Sequence, residues 1–123
     1  MKSKDVLGQF DIVMVRLDPT QGREQKGVRP CVILQTNAIG QKSGTMLVAP
    51  LTSQRLDRLY PHDVVVKVIE TNGLSALSKI KLDQLRVIDD SRISKKVGTL
   101  QKTVWPLVYS ALVMLFDLQG DFV

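Results

Sequence analysis

The chain has 123 residues, a length that suits one compact domain over residues 1–123. Its composition is 44% hydrophobic and 24% charged, which excludes an intrinsically disordered chain. The net charge is +5, and the excess lies in the first half: residues 1–62 carry nine Lys or Arg against five acidic residues, whereas residues 63–123 carry eight against seven. This distribution suits a polyanion such as RNA, although many soluble proteins carry a similar charge.

Neither the N-terminus nor the apolar stretches predict a membrane protein. Residues 1–5 are polar and no apolar signal region follows them. The longest apolar region, residues 104–118, is too short and too interrupted by Pro106 and Asp117 to span a bilayer. The single cysteine, Cys31, lies in an apolar run, so we expect a buried and inert thiol. These features predict a cytoplasmic protein.

Short β-branched segments, separated by Gly and Pro, predict a mainly β chain. The predicted strands are residues 10–17, 31–35, 45–49, 63–69, 76–82, 84–88 and 96–100. The predicted strand 31–35 is apolar from residue 31 to residue 34, which is typical of a strand buried on both faces. Pro50 is expected to end the third strand, because proline cannot donate to a sheet ladder. Residues 70–73 predict a turn, and residues 89–93 predict a single helical turn.

The C-terminal region, residues 104–118, predicts a helix because apolar side chains recur at i, i+3 and i+4. Thr103 is the predicted N-cap, Pro106 is tolerated in the first turn, and Gly120 supplies the stop. The helix is apolar on more than one face, which suits a dimer or partner surface. The predicted fold class is α+β, mainly β with a C-terminal helix, in which a small, strongly bent antiparallel sheet closes toward a barrel.

The longest polar interruption is GREQKGVRP at residues 22–30, between the first two predicted strands. Five of its nine residues are Arg, Lys, Glu or Gln, and two are Gly. A short turn would suffice to join two strands, so a loop of this length is a candidate for binding or chemistry. The plain alternative is a solvated hairpin tip.

The loop belongs to a series of motifs that occur along the chain in a recognisable order. They are GQFDIV at residues 8–13, LDPT at 17–20 with the loop at 22–30, PLTS at 50–53 and LDQLRVID at 82–89. With this order the chain resembles the MazF/PemK family of type II toxin endoribonucleases, while its C-terminal third matches only as an apolar helix. The resemblance implies an SH3-like barrel, a homodimer, and a MazE-like antitoxin whose acidic C-terminal tail lies over the active groove.

RNA can be cleaved without a metal when its own 2′-hydroxyl attacks the adjacent phosphate. Such a site needs a base, an acid, and donors that stabilise the charged phosphorane. The sequence holds one His and one Cys and no paired carboxylates at helical spacing with a His, so neither a metal set nor a cofactor is predicted. The resemblance implies a metal-independent, sequence-specific endoribonuclease that cleaves single-stranded mRNA.

Arg29 and Thr52 are the predicted catalytic pair. The guanidinium of Arg29 matches phosphate oxygens, and Pro30 fixes the backbone beside it. The hydroxyl of Thr52, which follows Pro50 at a strand end, can hydrogen-bond a phosphate oxygen. The resemblance gives both positions a catalytic role. Without it, a strand-end salt bridge for Arg29 and a turn-forming hydroxyl for Thr52 would be the plain alternatives.

Other residues near these motifs are predicted to bind RNA. They are Arg23, Glu24, Gln25, Ser53, His62, Lys81, Asp83 and Gln84. Asp83 matches a carboxylate proposed as the base in part of the family, and Lys81, two residues away, would share a strand face with it. Those family members carry His at the position of Arg23, and Arg cannot act as a base near neutral pH. The sequence therefore retains the Arg29/Thr52 form of the mechanism.

A second hypothesis, from another class, is a non-catalytic SH3-like module that binds RNA or an antitoxin-type peptide. A decayed relative of this kind is expected to have lost Arg29 or Thr52, and this chain has both. A DNA-binding regulator ranks lower, because no helix-turn-helix pair or basic recognition helix is evident. The only histidine, His62, follows Pro61 near the loops, and its plain alternative is a polar surface role.

Overall fold

A computed structural model describes residues 6–18, 22, 24, 27–38 and 44–117 of the chain. Its strands and helix are β1 (Asp11–Arg16), β2 (Val28–Ile33), β3 (Thr45–Thr52), β4 (Asp63–Val66), β5 (Ser78–Lys81), β6 (Arg86–Asp89), β7 (Ile93–Thr99) and α1 (Trp105–Leu115). The strand order is β4-β5-β3-β2-β1-β7, β6 pairs with β3, and every pairing is antiparallel. The predicted class, mainly β with a C-terminal helix, is confirmed, but within the described ranges the end strands β4 and β7 do not pair and the sheet is not closed.

Strand β3 joins the two halves of the sheet. Residues 45–48 pair with β6, whereas Leu51 and Thr52 pair with β5. Pro50 does not end the strand as predicted. It lies where one edge of β3 changes partner, so a residue that cannot donate falls at an interruption of that ladder. The strand therefore continues to Thr52, which is held in the sheet rather than in a turn.

Alternate side chains of the central strands form two apolar cores, because neighbouring residues on a strand point to opposite faces. Ile12 and Val32 belong to the core beneath α1. Val13, Cys31 and Ile33 belong to the core on the opposite face. The prediction that residues 31–35 lie in a strand buried on both faces is thus confirmed for the part that β2 includes.

Several predicted boundaries differ from the structure. β2 begins at Val28, so Arg29 lies in a strand rather than in the charged loop. β4 ends at Val66, shorter than predicted, and β7 begins earlier than predicted. The predicted turn at residues 70–73 is a 3₁₀ turn (Glu70–Asn72) closed by Gly73 at φ 69°. The predicted helical turn at residues 89–93 is confirmed as a 3₁₀ turn (Asp90–Arg92).

The helix α1 follows a 3₁₀ turn, Lys102–Val104, so the prediction of Thr103 as the N-cap of α1 is wrong. Pro106 lies in the first turn as predicted, and the predicted stop at Gly120 falls outside the described residues. Trp105 is partly buried and packs against the core beneath α1, where its ring stacks on Phe10 with centroids 4.6 Å apart. In the described part of the chain, no helix has the length and apolar character needed to cross a bilayer.

Burial raises the pKa of the Cys31 thiol from its ordinary value of 9.0 to about 12, and the charges of Arg86 and Arg29 partly offset this effect. The folded protein therefore keeps this proton at a pH where the unfolded chain has lost it. Because the unfolded state then binds fewer protons, the free energy of unfolding should fall by about 1.4 kcal/mol per pH unit between the two pKa values.

Urea unfolding of the wild-type protein and of Cys31→Ala at about pH 9 and about pH 11 would measure this effect. The wild-type protein should lose roughly 2–3 kcal/mol more than Cys31→Ala over this interval, since the variant has no thiol to titrate. Parallel losses in the two proteins would show that Cys31 does not titrate differently in the two states.

Candidate active site

Arg29 and Thr52 line one cleft of about 230 Å³, named here the arginine cleft. Arg29 lies on β2, Thr52 is the last residue of β3, and Ser53 follows on the same wall. Arg29 is the only charged side chain among the described residues that line this cleft. The structure thus brings the predicted catalytic pair together, and their catalytic role stays a prediction.

The Thr52 hydroxyl is oriented by its own backbone neighbourhood. The residue is 6% exposed, and its Oγ1 accepts a hydrogen bond of 3.1 Å from the backbone N–H of Gln54. A hydroxyl has one hydrogen and two lone pairs. With one lone pair engaged by Gln54, the hydrogen can be donated to a ligand in the cleft.

Thr52 also lines a second cleft of about 230 Å³, named here the basic cleft. Its other lining residues are Gln54, Arg55, Arg58, Tyr60, Lys79, Lys81 and Gln84. Four of these side chains are cationic, and none of the described lining residues is acidic. Two of the predicted RNA-binding residues, Lys81 and Gln84, therefore lie beside the predicted catalytic pair. A cluster of positive charge of this kind attracts phosphates.

Gln84 in turn lines a third cleft, of about 450 Å³, together with Glu24 and Asp83. Because Thr52 lines the first two clefts and Gln84 lines the last two, the three clefts are neighbours on the surface, and together they are named here the groove. Asp83 and Arg29 lie in different clefts of this groove. Two further predicted RNA-binding residues, Arg23 and Gln25, lie outside the described residues, and their roles stay predictions.

A buried ion cluster lies beneath the basic cleft. The side chain of Asp63 is fully buried, and its carboxylate lies 3.8 Å from Nζ of Lys79 and 3.4 Å from Nζ of Lys81. The register of β4 and β5 places Asp63 opposite Lys81. Neither Asp63 nor Lys79 was predicted as a site residue from the sequence. The signal was the alternation Ser-Lys-Ile-Lys at residues 78–81, which puts two lysines on one strand face.

Lys81 and Asp83 are neighbours, as predicted, with Nζ and Oδ1 3.5 Å apart. The predicted reason is wrong, because Asp83 lies in a 3₁₀ turn, Leu82–Gln84, rather than on a strand. His62 lies near the loops as expected: its Nε2 is 3.5 Å from Oδ1 of Asp83, and its ring is parallel to that of Tyr60. The chemistry at this end of the groove is therefore a carboxylate held between an ammonium and an imidazole.

His62, Asp63 and Asp83 could offer three metal-ligand atoms within 4.8 Å of one another. The ammonium groups of Lys79 and Lys81 lie 3.4–3.8 Å from these carboxylates. They supply the positive charge that a metal ion would bring, and a second cation at this position would be repelled. The donor set therefore does not favour a metal site.

Comparisons with known protein families, sequences and structures all indicate the same family. The profile described as "PemK-like, MazF-like toxin of type II toxin-antitoxin system" matches residues 8–116. The endoribonuclease toxin MazF of Escherichia coli (strain K12) is 36% identical over 115 residues, which is 94% of this chain and 98% of that protein. The crystal structure of MazF from Deinococcus radiodurans is 26% identical and covers 93% of this chain and 99% of its own, with a TM-score of 0.77.

A structure of MazE–MazF from Deinococcus radiodurans is 22% identical over 94% of this chain and 99% of that chain, with a TM-score of 0.71, and supports the fold alone. The antiparallel sheet with its terminal helix and its basic cleft defines a MazF-like protein. The chain belongs to the family of PemK-like, MazF-like toxins of type II toxin–antitoxin systems. The resemblance carried by the four sequence motifs is thereby confirmed.

Proposed function

We propose that the chain is an endoribonuclease toxin that cleaves single-stranded RNA without a metal, with Arg29 and Thr52 as the catalytic residues. The observation that carries this proposal is that the two side chains line one cleft, which adjoins at Thr52 a second cleft with four cationic side chains in its lining. The activity named for the E. coli relative, at 36% identity over most of both chains, supports the same conclusion.

The scissile phosphate binds in the arginine cleft in this mechanism. A base takes the proton of the 2′-hydroxyl as its oxygen attacks phosphorus, and an acid protonates the 5′-oxygen as its bond to phosphorus breaks, so the products carry a 2′,3′-cyclic phosphate and a 5′-hydroxyl. Negative charge accumulates on the non-bridging oxygens in the transition state. The guanidinium of Arg29 and the hydroxyl of Thr52 donate to these oxygens, and both bonds strengthen as that charge develops.

The rest of the groove binds the flanking nucleotides. Lys81 supplies positive charge for the backbone, and Ser53 and Gln84 supply hydrogen bonds. Glu24 and Asp83 line the third cleft, where carboxylates can accept hydrogen bonds from base amino groups. His62, 3.5 Å from Asp83, is a further RNA-binding residue at this end of the groove in this proposal. The loop residues Arg23 and Gln25 complete the RNA-binding set of this proposal.

A MazE-like antitoxin with an acidic C-terminal tail is the proposed inhibitor. The cations that attract RNA phosphates would attract such a tail equally, so a tail lying in the groove would compete directly with RNA. The likeness to the MazE–MazF structure is compatible with this arrangement in its fold. The toxin acts as a homodimer in the cytoplasm, where mRNA is present, and the exposed apolar residues of α1, including Met114, suit a dimer contact.

Thr52→Val should lower kcat by roughly a hundred-fold or more, because it removes a transition-state donor and keeps the shape of the side chain. Thr103→Val, the same change at an exposed threonine of the 3₁₀ turn before α1, is the matched control and should leave kcat unchanged. Cleavage of a mixed-sequence single-stranded RNA in excess EDTA measures both, and the wild-type rate should be unaffected by the chelator.

Three results would contradict this proposal. Full activity of Thr52→Val would remove Thr52 from the mechanism. A loss in EDTA that Mg²⁺ restores would refute the metal-free reaction. RNA bound but not cut by folded wild-type protein would favour the non-catalytic binding module.

A further inference from the structure

Lys79 is a buried cation on β5. It is 3% exposed, and its Nζ donates to the carbonyl oxygens of Arg55 and Arg58, both at 2.8 Å. The third oxygen beside Nζ belongs to Asp63, at 3.8 Å. An ammonium group has three hydrogens and is costly to bury unless acceptors surround it. These three oxygens explain why a lysine is accommodated at this position.

Lys79 contacts the loop of residues 53–61, whose backbone includes one residue in an unfavourable conformation. Arg55 has φ 55°, in the left-handed region that non-glycine residues rarely adopt. The N–H of Arg58 donates to the carbonyl of Arg55 at 3.2 Å, and the N–H of Tyr60 donates to Asp63 at 2.9 Å. The loop is thus attached to the Lys79–Asp63 pair at three points, which holds it in its strained form.

This loop places two arginines on the wall of the basic cleft. Arg55 and Arg58 are exposed and line the cleft with Lys81, next to Thr52. The contact of Arg55 with Asp57 is 3.8 Å long and solvent-exposed, so it holds the guanidinium only weakly. Lys79 itself is so deeply buried that only a small part of its side chain could contact a ligand in the cleft.

We propose that Lys79 is a positioning residue that orders loop 53–61, so that Arg55 and Arg58 make the basic cleft a subsite for an RNA phosphate adjacent to the scissile one. This inference rests on the proposed function, and deepens it by assigning the subsite and the residue that shapes it. Removing Lys79 releases the carbonyls of Arg55 and Arg58, and the loop then leaves the conformation that directs both guanidinium groups at the cleft.

Trypsin provides a direct test of the loop, because it cuts after Arg55 and Arg58, at the two carbonyls that Lys79 binds. Lys79→Met keeps the side-chain length and removes the donors. It should be cut at these two bonds at least about ten-fold faster than the wild-type protein under native conditions. Lys95→Met, the same change at an exposed lysine of β7, is the control and should be cut at the wild-type rate.

Cleavage kinetics test the subsite. Lys79→Met should raise KM for single-stranded RNA roughly ten-fold with little change in kcat, because the arginine cleft is retained. The slope of log(kcat/KM) against log[salt] should become shallower by about 1.4, the value for two lost phosphate contacts on a single strand. In an Arg55→Ala/Arg58→Ala background, Lys79→Met should add no further rise in KM. All variants are measured where circular dichroism shows them folded.

An equal rise in KM in both backgrounds, or unchanged trypsin resistance of Lys79→Met, would overturn the inference. Should Lys79→Met not fold, Arg55→Ala and Arg58→Ala carry the test, each making the salt slope shallower by roughly 0.7; unchanged slopes would overturn it. If wild-type protein neither binds nor cuts RNA, the proposed function fails and the subsite with it. If wild-type protein cuts RNA and the variants match it, the subsite alone fails.

Discussion

Arg29→Ala is expected to lower kcat/KM for RNA cleavage by about a thousand-fold, because it removes the only charged side chain among the described residues of the arginine cleft. Charge on the phosphorane would then be met by the Thr52 hydroxyl alone. The fold should be retained, since residue 29 keeps its backbone pairing with Val15 on β1. Initial rates on a defined single-stranded RNA, beside thermal unfolding, measure both quantities.

Arg29→Lys separates the contribution of the positive charge from that of the planar guanidinium. It keeps the positive charge and loses the planar pair of donors, so we expect a rate between that of Arg29→Ala and the wild-type protein. Arg16→Ala, at an exposed arginine of β1, is the matched control and should cleave at nearly the wild-type rate. Activity of Arg29→Ala within a few-fold of wild type would exclude the Arg29/Thr52 mechanism.

Gly98→Ala and Gly73→Ala are expected to be the most destabilising small substitutions in the described chain. A Cβ at Gly98 would lie 2.4 Å from the carbonyl carbon of Asn72, and a Cβ at Gly73 would lie 2.2 Å from the carbonyl oxygen of Val97. Both contacts are with backbone, which cannot move aside easily. We expect Gly98→Ala to lower the free energy of unfolding by about 3 kcal/mol.

Gly73→Ala should lose a further 1–2 kcal/mol or so, because φ is 69° at this residue and L-amino acids disfavour that region. Gly44→Ala separates the cost of the positive φ from the cost of the steric contact. Its φ is 77°, but no atom lies within 4 Å of the added Cβ, so the free energy of unfolding should fall by only about 1 kcal/mol. Urea denaturation of the three variants should rank them Gly73, Gly98, Gly44. Equal losses would show that the steric contact between the 3₁₀ turn and β7 is unimportant.

This contact matters for the site, because Gly73 and Val97 both line the arginine cleft. Asn72 fixes the turn from within: it is fully buried, and its Nδ2 donates to the carbonyl of Lys67 at 2.9 Å and to Gln101 at 3.1 Å. The close approach of the turn to β7 therefore sets the wall that faces Arg29 and Thr52.

The strands, the terminal helix and the two-sided burial around Cys31 could be predicted from local sequence patterns, because these features depend on side-chain periodicity. The same patterns gave wrong predictions for the strand end at Pro50 and the helix N-cap at Thr103. The rule that proline ends a strand assumes one partner along each edge, and β3 changes partner at that residue. The residue before α1 is determined by the preceding 3₁₀ turn, which has no periodicity of its own.

In the site, too, some features could be predicted from local sequence and others depend on tertiary structure. Arg29 and Thr52 could be selected because they belong to motifs, and the fold then placed them in one cleft. The contacts of Lys79 could not be predicted from local pattern. They depend on the register of β4 against β5 and on the path of loop 53–61, both of which are tertiary features.

If RNA supplies its own nucleophile at the Arg29/Thr52 cleft, removal of a single 2′-hydroxyl should abolish cleavage at one position. A short single-stranded RNA cut at a mapped position is compared, in EDTA, with the same RNA carrying a single 2′-deoxynucleotide immediately 5′ to the cut. We expect the wild-type protein to cut the first, leaving a 5′-hydroxyl end, and not to cut the second at that position. Cleavage of both RNAs at the same rate would contradict the mechanism.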